Sequence, residues 1–359
     1  MKSFRDKNLR TALLGSVAMI FATSPMQAFA QQAKDEILVD PIVIEADQQS
    51  ETATSPVKGY VAKQSATATK TGTAISETPR AISVVSKKEI ETRQAQTVMD
   101  ALKYSPGIQP DLYGYDTRYD WFKVRGFAQQ DIGLYRDGMQ LRSSGYASFK
   151  QEAYGAERIE LLRGPTSVLY GQNAPGGIVN VVSKRPHADM LNEVELQTGS
   201  FDHKQGAFDI GDKLVEDGSV LYRVAGLVKD SGTQTDMVDD KRIYLAPSLK
   251  WENDDTSLTL LTHYQEDDTG SANNWLPAVG TIFGTPNGAI PVDVFTGEPA
   301  FEGYKRIQYS LGYELSHDFT NDLTFRQNAR YAFVDVDYKT IYGNGWADVN
   351  AGTLNRSLL

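Results

Sequence analysis

The chain has no cysteine, which removes disulfides, thiolate chemistry and most zinc sites together. Histidine is scarce: His187, His203, His263 and His317 are scattered without ligand spacing, so a protein-bound metal is not expected. Beyond the first thirty residues no apolar run reaches the roughly 20 residues of a membrane-spanning helix. Basic charge is also lacking. A formal net charge of −10 with no basic stripe argues against nucleic acid as a partner.

What the chain does have is tyrosine (18, against 14 phenylalanines), 30 glycines and 23% charged residues, a mixture suited to many short strands with wet turns. At the N-terminus Lys2, Arg5, Lys7 and Arg10 precede an apolar stretch from Ala12 to Ala22, and Ala28-Phe29-Ala30 forms a small-x-small site. Residues 1–30 read as an export signal peptide with the mature chain starting near Gln31; the other reading is an uncleaved anchor, for which the apolar run is short.

Residues 31–70 are rich in Gln, Thr, Ser, Ala and Lys without a periodic apolar pattern, and read as a flexible tail. Within them Ile42-Val43-Ile44 is a β-branched island, either a stray strand or a segment suited to pairing with another protein's sheet edge. From Thr71 to about Arg185 the texture is that of a globular α+β domain. A strand is expected at Ala81–Val85, a helix over Ser86–Leu102 closed by Tyr104-Ser105-Pro106-Gly107, and further strands at Trp121–Val124, Ile159–Leu162 and Ile178–Val182.

After Pro186 apolar and polar residues alternate with period two. Ile243, Leu245, Leu249 and Trp251 share one face against Tyr244, Ser248 and Lys250; Tyr309, Leu311, Tyr313 and Leu315 oppose Ser310, Glu314 and Ser316. A soluble sandwich alternates too. Aromatic residues on the apolar face, Arg326 and Arg330 on the polar face and the export signal favour a membrane barrel. Seven strands are expected by Lys339, with short turns at 212–218, 252–255 and 318–322 on the periplasmic side and long loops at 230–240 and 266–305 outside.

The ordered segments Lys70-Thr71-Gly72-Thr73 to Val85, Tyr104-Ser105-Pro106-Gly107, Val124-Arg125-Gly126-Phe127, Glu157-Arg158-Ile159-Glu160, Arg163-Gly164-Pro165-Thr166-Ser167-Val168-Leu169-Tyr170-Gly171 and Ala174-Pro175-Gly176-Gly177 to Pro186 resemble the TonB-dependent siderophore receptors, in particular the ferrichrome-type hydroxamate branch. The resemblance implies an α+β plug domain (71–186) followed by the first strands of an antiparallel transmembrane β-barrel (190–359) that has 22 strands when complete in that family. It implies a TonB box at Asp40, Pro41, Ile42, Val43, Ile44, Glu45 and Ala46, gripped by TonB with its inner-membrane ExbB/ExbD complex, since the outer membrane has no nucleotide supply. Arg125 and Arg163 match plug arginines that meet barrel carboxylates in the family, against the alternative of solvated surface arginines.

The implied ligand is a ferric siderophore, whose iron is already enclosed by the siderophore's own oxygens. No cofactor or protein metal cage is therefore expected, and the site should be an outward-facing aromatic bowl. By resemblance Tyr146 and Gln130 of the plug, and Trp275 and Tyr342 of the barrel loops, match ligand contacts. Tyr113 stands where the branch has an arginine, and Asn344 where it has a second tyrosine. For Trp275 and Tyr342 the alternative is the interfacial aromatic girdle of any barrel in outer-membrane lipid.

Within the resemblance the alternative is a TonB-dependent receptor for another ligand, such as a non-hydroxamate siderophore; outside it stand three rival functions. A passive porin would have neither plug nor box. An enzyme would need more than Gly164, Gly171, Gly176 and Gly177, which no Gly-Lys-Ser/Thr follows. A receptor that also signals to transcription needs an extra N-terminal domain, for which residues 31–39 are expected to be too short. Residues 190–359 suffice for seven or eight strands, so the chain is expected to be a truncated product that does not transport alone.

Overall fold

The computed structural model describes residues 51–129, 131–271 and 275–359. The segments expected as signal peptide (1–30) and TonB box (Asp40–Ala46), and Gln130, lie outside the described residues. The plug is organised on a mixed five-stranded sheet: β1 (Ala81–Ser86), β2 (Leu134–Arg136), β3 (Met139–Gln140), β4 (Ala156–Arg163) and β5 (Gly177–Ser183), in the order β1-β4-β5-β2-β3. β5 runs antiparallel to β4 and parallel to β2. Gly177 has φ +140°, and a Cβ there would overlap the Leu162 carbonyl, so only glycine lets β5 approach β4.

The helix expected over Ser86–Leu102 is two short helices, α1 (Lys87–Arg93) and α2 (Val98–Leu102). Gln94 takes a left-handed conformation and stops the first; Thr97 caps the second by accepting from the Asp100 amide at 3.0 Å. Their apolar residues Ile90, Val98, Met99 and Leu102 pack with Val85, Phe122, Ile159, Leu161, Val179 and Val181 into one core. Ala332 and Val334 of the barrel wall close it from the side.

Residues 51–70, expected as flexible tail, are instead laid on the plug. Gln64–Ser65 pairs with Thr73–Ala74. Fully buried Arg158 donates to the carbonyls of Thr52, Ser55 and Gln64 at 2.7, 2.7 and 3.1 Å, and the Glu160 carboxylate accepts from the hydroxyls of Ser65 (2.8 Å) and Thr67. This strap is anchored by buried polar groups, which leave no apolar periodicity in the sequence.

The wall is an antiparallel, up-and-down sheet of seven strands: β6 (Glu193–Gly199), β7 (His203–Lys213), β8 (Val220–Asp230), β9 (Asp240–Glu252), β10 (Thr256–Thr269), β11 (Gly303–Thr320) and β12 (Leu323–Lys339). Each strand pairs with its sequence neighbour, and the seventh ends at Lys339, as the alternation predicts. A separate hairpin, β13 (Ile341–Asp348) with β14 (Thr353–Leu358), follows. On β9 the apolar residues face out, with Ile243 47% and Leu245 40% exposed, while Arg242 and Tyr244 are buried at 2% and 1%. That order is the reverse of a soluble sandwich: the polar face is turned to the plug and the apolar face outward, as lipid requires.

Candidate ligand bowl and plug–wall interface

The loop between Ile108–Pro110 and Phe122–Val124 carries Tyr113, Arg118, Tyr119 and Trp121. A chain of ring contacts runs through it. The Trp275 ring, from the loop between β10 and β11, lies 5.3 Å from Tyr113; Tyr113 meets Trp121 edge-on at 4.7 Å; Trp121 stacks on Tyr119 at 5.0 Å with 11° between planes. Tyr119 is 6.2 Å from Tyr146 and 5.5 Å from Tyr304, and Tyr146 is 5.3 Å from Tyr338. Tyr304 and Tyr338 sit opposite each other in the β11–β12 register, and the Tyr304 hydroxyl donates to the Tyr146 carbonyl at 3.2 Å. Plug and wall thus build one aromatic surface. Tyr113, Tyr146 and Trp275 are about half exposed on it, while Tyr119 and Tyr304 are buried beneath.

The structure brings together Tyr113, Tyr146 and Trp275 of the residues picked from sequence. Tyr342 and Asn344 lie on β13, outside the chain of ring contacts: the Asn344 amide donates to the Ser357 hydroxyl at 3.0 Å, and Gly343 between them lies against the Trp275 carbonyl. Trp121, Tyr119, Tyr304 and Tyr338 join the surface without matching a ligand contact in the sequence. The crowding of Tyr113, Tyr115, Tyr119 and Trp121 within one plug loop was the available signal for two of them.

The surface can offer ring faces and phenol hydroxyls to a bulky ligand, each contact contributing about 1 kcal/mol. Burial, then neighbouring Tyr304, pushes the Tyr119 phenol up, so that ring is uncharged at physiological pH. Among the described residues no group of three or more His, Asp or Glu is placed to hold a metal ion.

Buried and part-buried ion pairs also join plug to wall. Asp137 receives Arg330 of β12 at 2.6 Å, Arg185 pairs with Glu314 of β11 at 2.6 Å, Glu157 with Arg223 of β8 at 3.0 Å, and Glu152 with Arg242 of β9 at 2.6 Å. Burial opposes ionisation of Asp137, but Arg185, Arg330 and Arg136 outweigh it and hold the carboxyl well below the usual range. Such pairs stabilise little over an apolar contact, because desolvation offsets attraction; they fix position, since breaking one leaves a buried charge.

Arg163 donates to the Ser83 hydroxyl at 2.8 Å and the Pro106 carbonyl at 3.0 Å. Among the described residues neither it nor Arg125 has a carboxylate within salt-bridge reach. Burial, then the Arg125 charge, lowers Arg163 from its ordinary value, so the two cations stand close together.

A family model described as TonB-dependent Receptor Plug Domain matches residues 74–178. The chain is 36% identical over 338 residues to the ferrichrome outer membrane transporter/phage receptor of Escherichia coli (strain K12), covering 92% of this chain and 45% of that protein. It is 34% identical to the ferrioxamine receptor of Yersinia enterocolitica, covering 94% and 46%. The chain therefore spans a little under half the length of these curated relatives. Among solved structures, the pyoverdine outer membrane receptor of Pseudomonas aeruginosa PAO1 bound to pyoverdine superposes with TM-score 0.74 at 23% identity, over 83% of this chain and 44% of that one. The ferric-catecholate import receptor Fiu of E. coli K12, in its closed form, gives TM-score 0.74 at 22% identity, over 86% and 44%. At these identities the superpositions establish the fold.

Proposed function

We propose that this chain, which belongs to the TonB-dependent siderophore receptors, forms the plug, the first wall strands and much of the ligand bowl of an outer-membrane importer for a ferric siderophore of the hydroxamate type. The observation that carries this reading is the ring surface from Trp275 through Tyr113, Trp121 and Tyr119 to Tyr146 and Tyr338, shared by plug and wall. A siderophore brings six oxygen ligands to its iron, so the receptor has only to seat the outside of the chelate. Rings and phenols do that without competing for the metal.

In this reading Tyr113, Tyr146 and Trp275 touch the ligand, and Gln130, Tyr342 and Asn344 border it. Arg125 and Arg163 serve the plug–wall contact. The segment Asp40–Ala46 is the TonB box, whose β-branched centre Ile42-Val43-Ile44 suits strand addition to TonB, with ExbB/ExbD supplying the work. The apolar outer face of β9 to β12 meets outer-membrane lipid.

The test is binding of ferrichrome and ferrioxamine B to the protein in outer-membrane vesicles, followed by quenching of tryptophan fluorescence. Tyr146→Ala and Trp275→Ala should each weaken binding roughly fivefold, the equivalent of about 1 kcal/mol. Unchanged affinity in both variants refutes the bowl.

A further inference from the structure

Arg118 lies under the ring surface and is not among the residues that resemblance assigns to the ligand. Its side chain is 4% exposed. Its Nε and Nη2 donate to the two carboxylate oxygens of Asp116 at 3.0 and 2.8 Å, its backbone amide donates to Oδ1 at 2.8 Å, and Nη1 donates to the Tyr338 hydroxyl. The guanidinium sits 5.0 Å from the centre of the Tyr119 ring and 5.3 Å from that of Tyr338. These are two of the rings that flank Tyr146. The Arg118 carbonyl in turn accepts from Arg306 of β11 at 2.7 Å.

We infer that Arg118 is a positioning residue of the bowl: the Asp116–Arg118 pair fixes the Tyr119 and Tyr338 rings, and through them Tyr146, at the spacing a ferric chelate requires. This rests on the bowl reading above. The fork geometry is what the task needs, because one planar cation reaches a plug carboxylate and a wall phenol while lying against both rings. Asp116 neutralises the charge in place, so Arg118 does not act by attracting an anionic ligand.

The experiment titrates ferrichrome and ferrioxamine B against the unaltered protein, Arg118→Lys, Tyr338→Phe and the double variant, reading Kd and stoichiometry separately from Trp quenching, at low and high salt. Arg118→Lys keeps the charge and loses the fork; Tyr338→Phe keeps the ring and loses the acceptor. Each should raise Kd on the order of tenfold at unchanged stoichiometry, and the double variant should be no weaker than the worse single. The losses should be the same at both salt concentrations. A merely structural role would lower the binding-competent fraction and leave Kd alone. Unchanged Kd in Tyr338→Phe, losses that multiply in the double variant, or losses that vanish in high salt each overturn the inference. If the unaltered protein binds neither chelate, the bowl reading fails and takes this with it; if it binds and the variants match it, only the role of Arg118 falls.

Discussion

Arg158→Ala should release the strap of residues 51–70 from the plug while leaving the wall in place. Arg158 is fully buried and its guanidinium donates to three strap carbonyls, those of Thr52, Ser55 and Gln64. It also stands 3.9 Å from Glu160 and 3.8 Å from Glu51, so its loss leaves the buried Glu160 carboxylate without its ion-pair partner, with only the more distant Arg185 charge acting on it. Removing one partner of a buried ionic network costs about 3–5 kcal/mol. Water reaching the freed carbonyls recovers part of this, which places the loss at the lower end, about 3 kcal/mol. Hydrogen exchange of strap amides by local opening should then accelerate on the order of a hundredfold, with the amides of β6–β12 unchanged. Arg158→Lys should fall between, since one ammonium does not span three carbonyls. Strap exchange equal to that of the unaltered protein would refute the assignment of Arg158 as the clamp, and acceleration spread equally over the wall would refute its locality.

Two further outcomes follow. The depressed Asp137 carboxyl contributes plug–wall stability that is complete above the ordinary aspartate value of about 4 and is lost as pH falls through the lower folded value. Asp137→Asn should lower the urea midpoint at neutral pH and flatten the acid limb below about pH 4; an acid limb of the same steepness in the variant would count against the three-arginine site. If Asp40–Ala46 is the TonB box, Val43→Pro placed in a receptor whose barrel is complete should abolish ferric siderophore uptake, because proline removes a strand donor, while leaving vesicle binding intact. Normal uptake in that variant would remove the assignment.

The sequence alone determined the architecture, because it is written in periodicities that need no partner to be read. Alternation in 243–251 and 308–316 follows from the two-residue repeat of a strand, and the ordered glycine motifs from Val124 to Pro186 reflect backbone positions that few side chains tolerate. The strap, the break at Gln94 and the makeup of the bowl were decided by tertiary structure. Ser65 and Thr67 look like tail residues until Glu160, ninety-odd positions away, supplies their acceptor. Nothing local marks Tyr304 and Tyr338 as bowl residues; the β11–β12 register and the plug loop set them against Tyr119 and Tyr146. Local patterns fix which face of a strand is apolar; which side chains meet across a plug and a wall depends on how two sheets are docked, and that is set by contacts between residues the sequence keeps far apart.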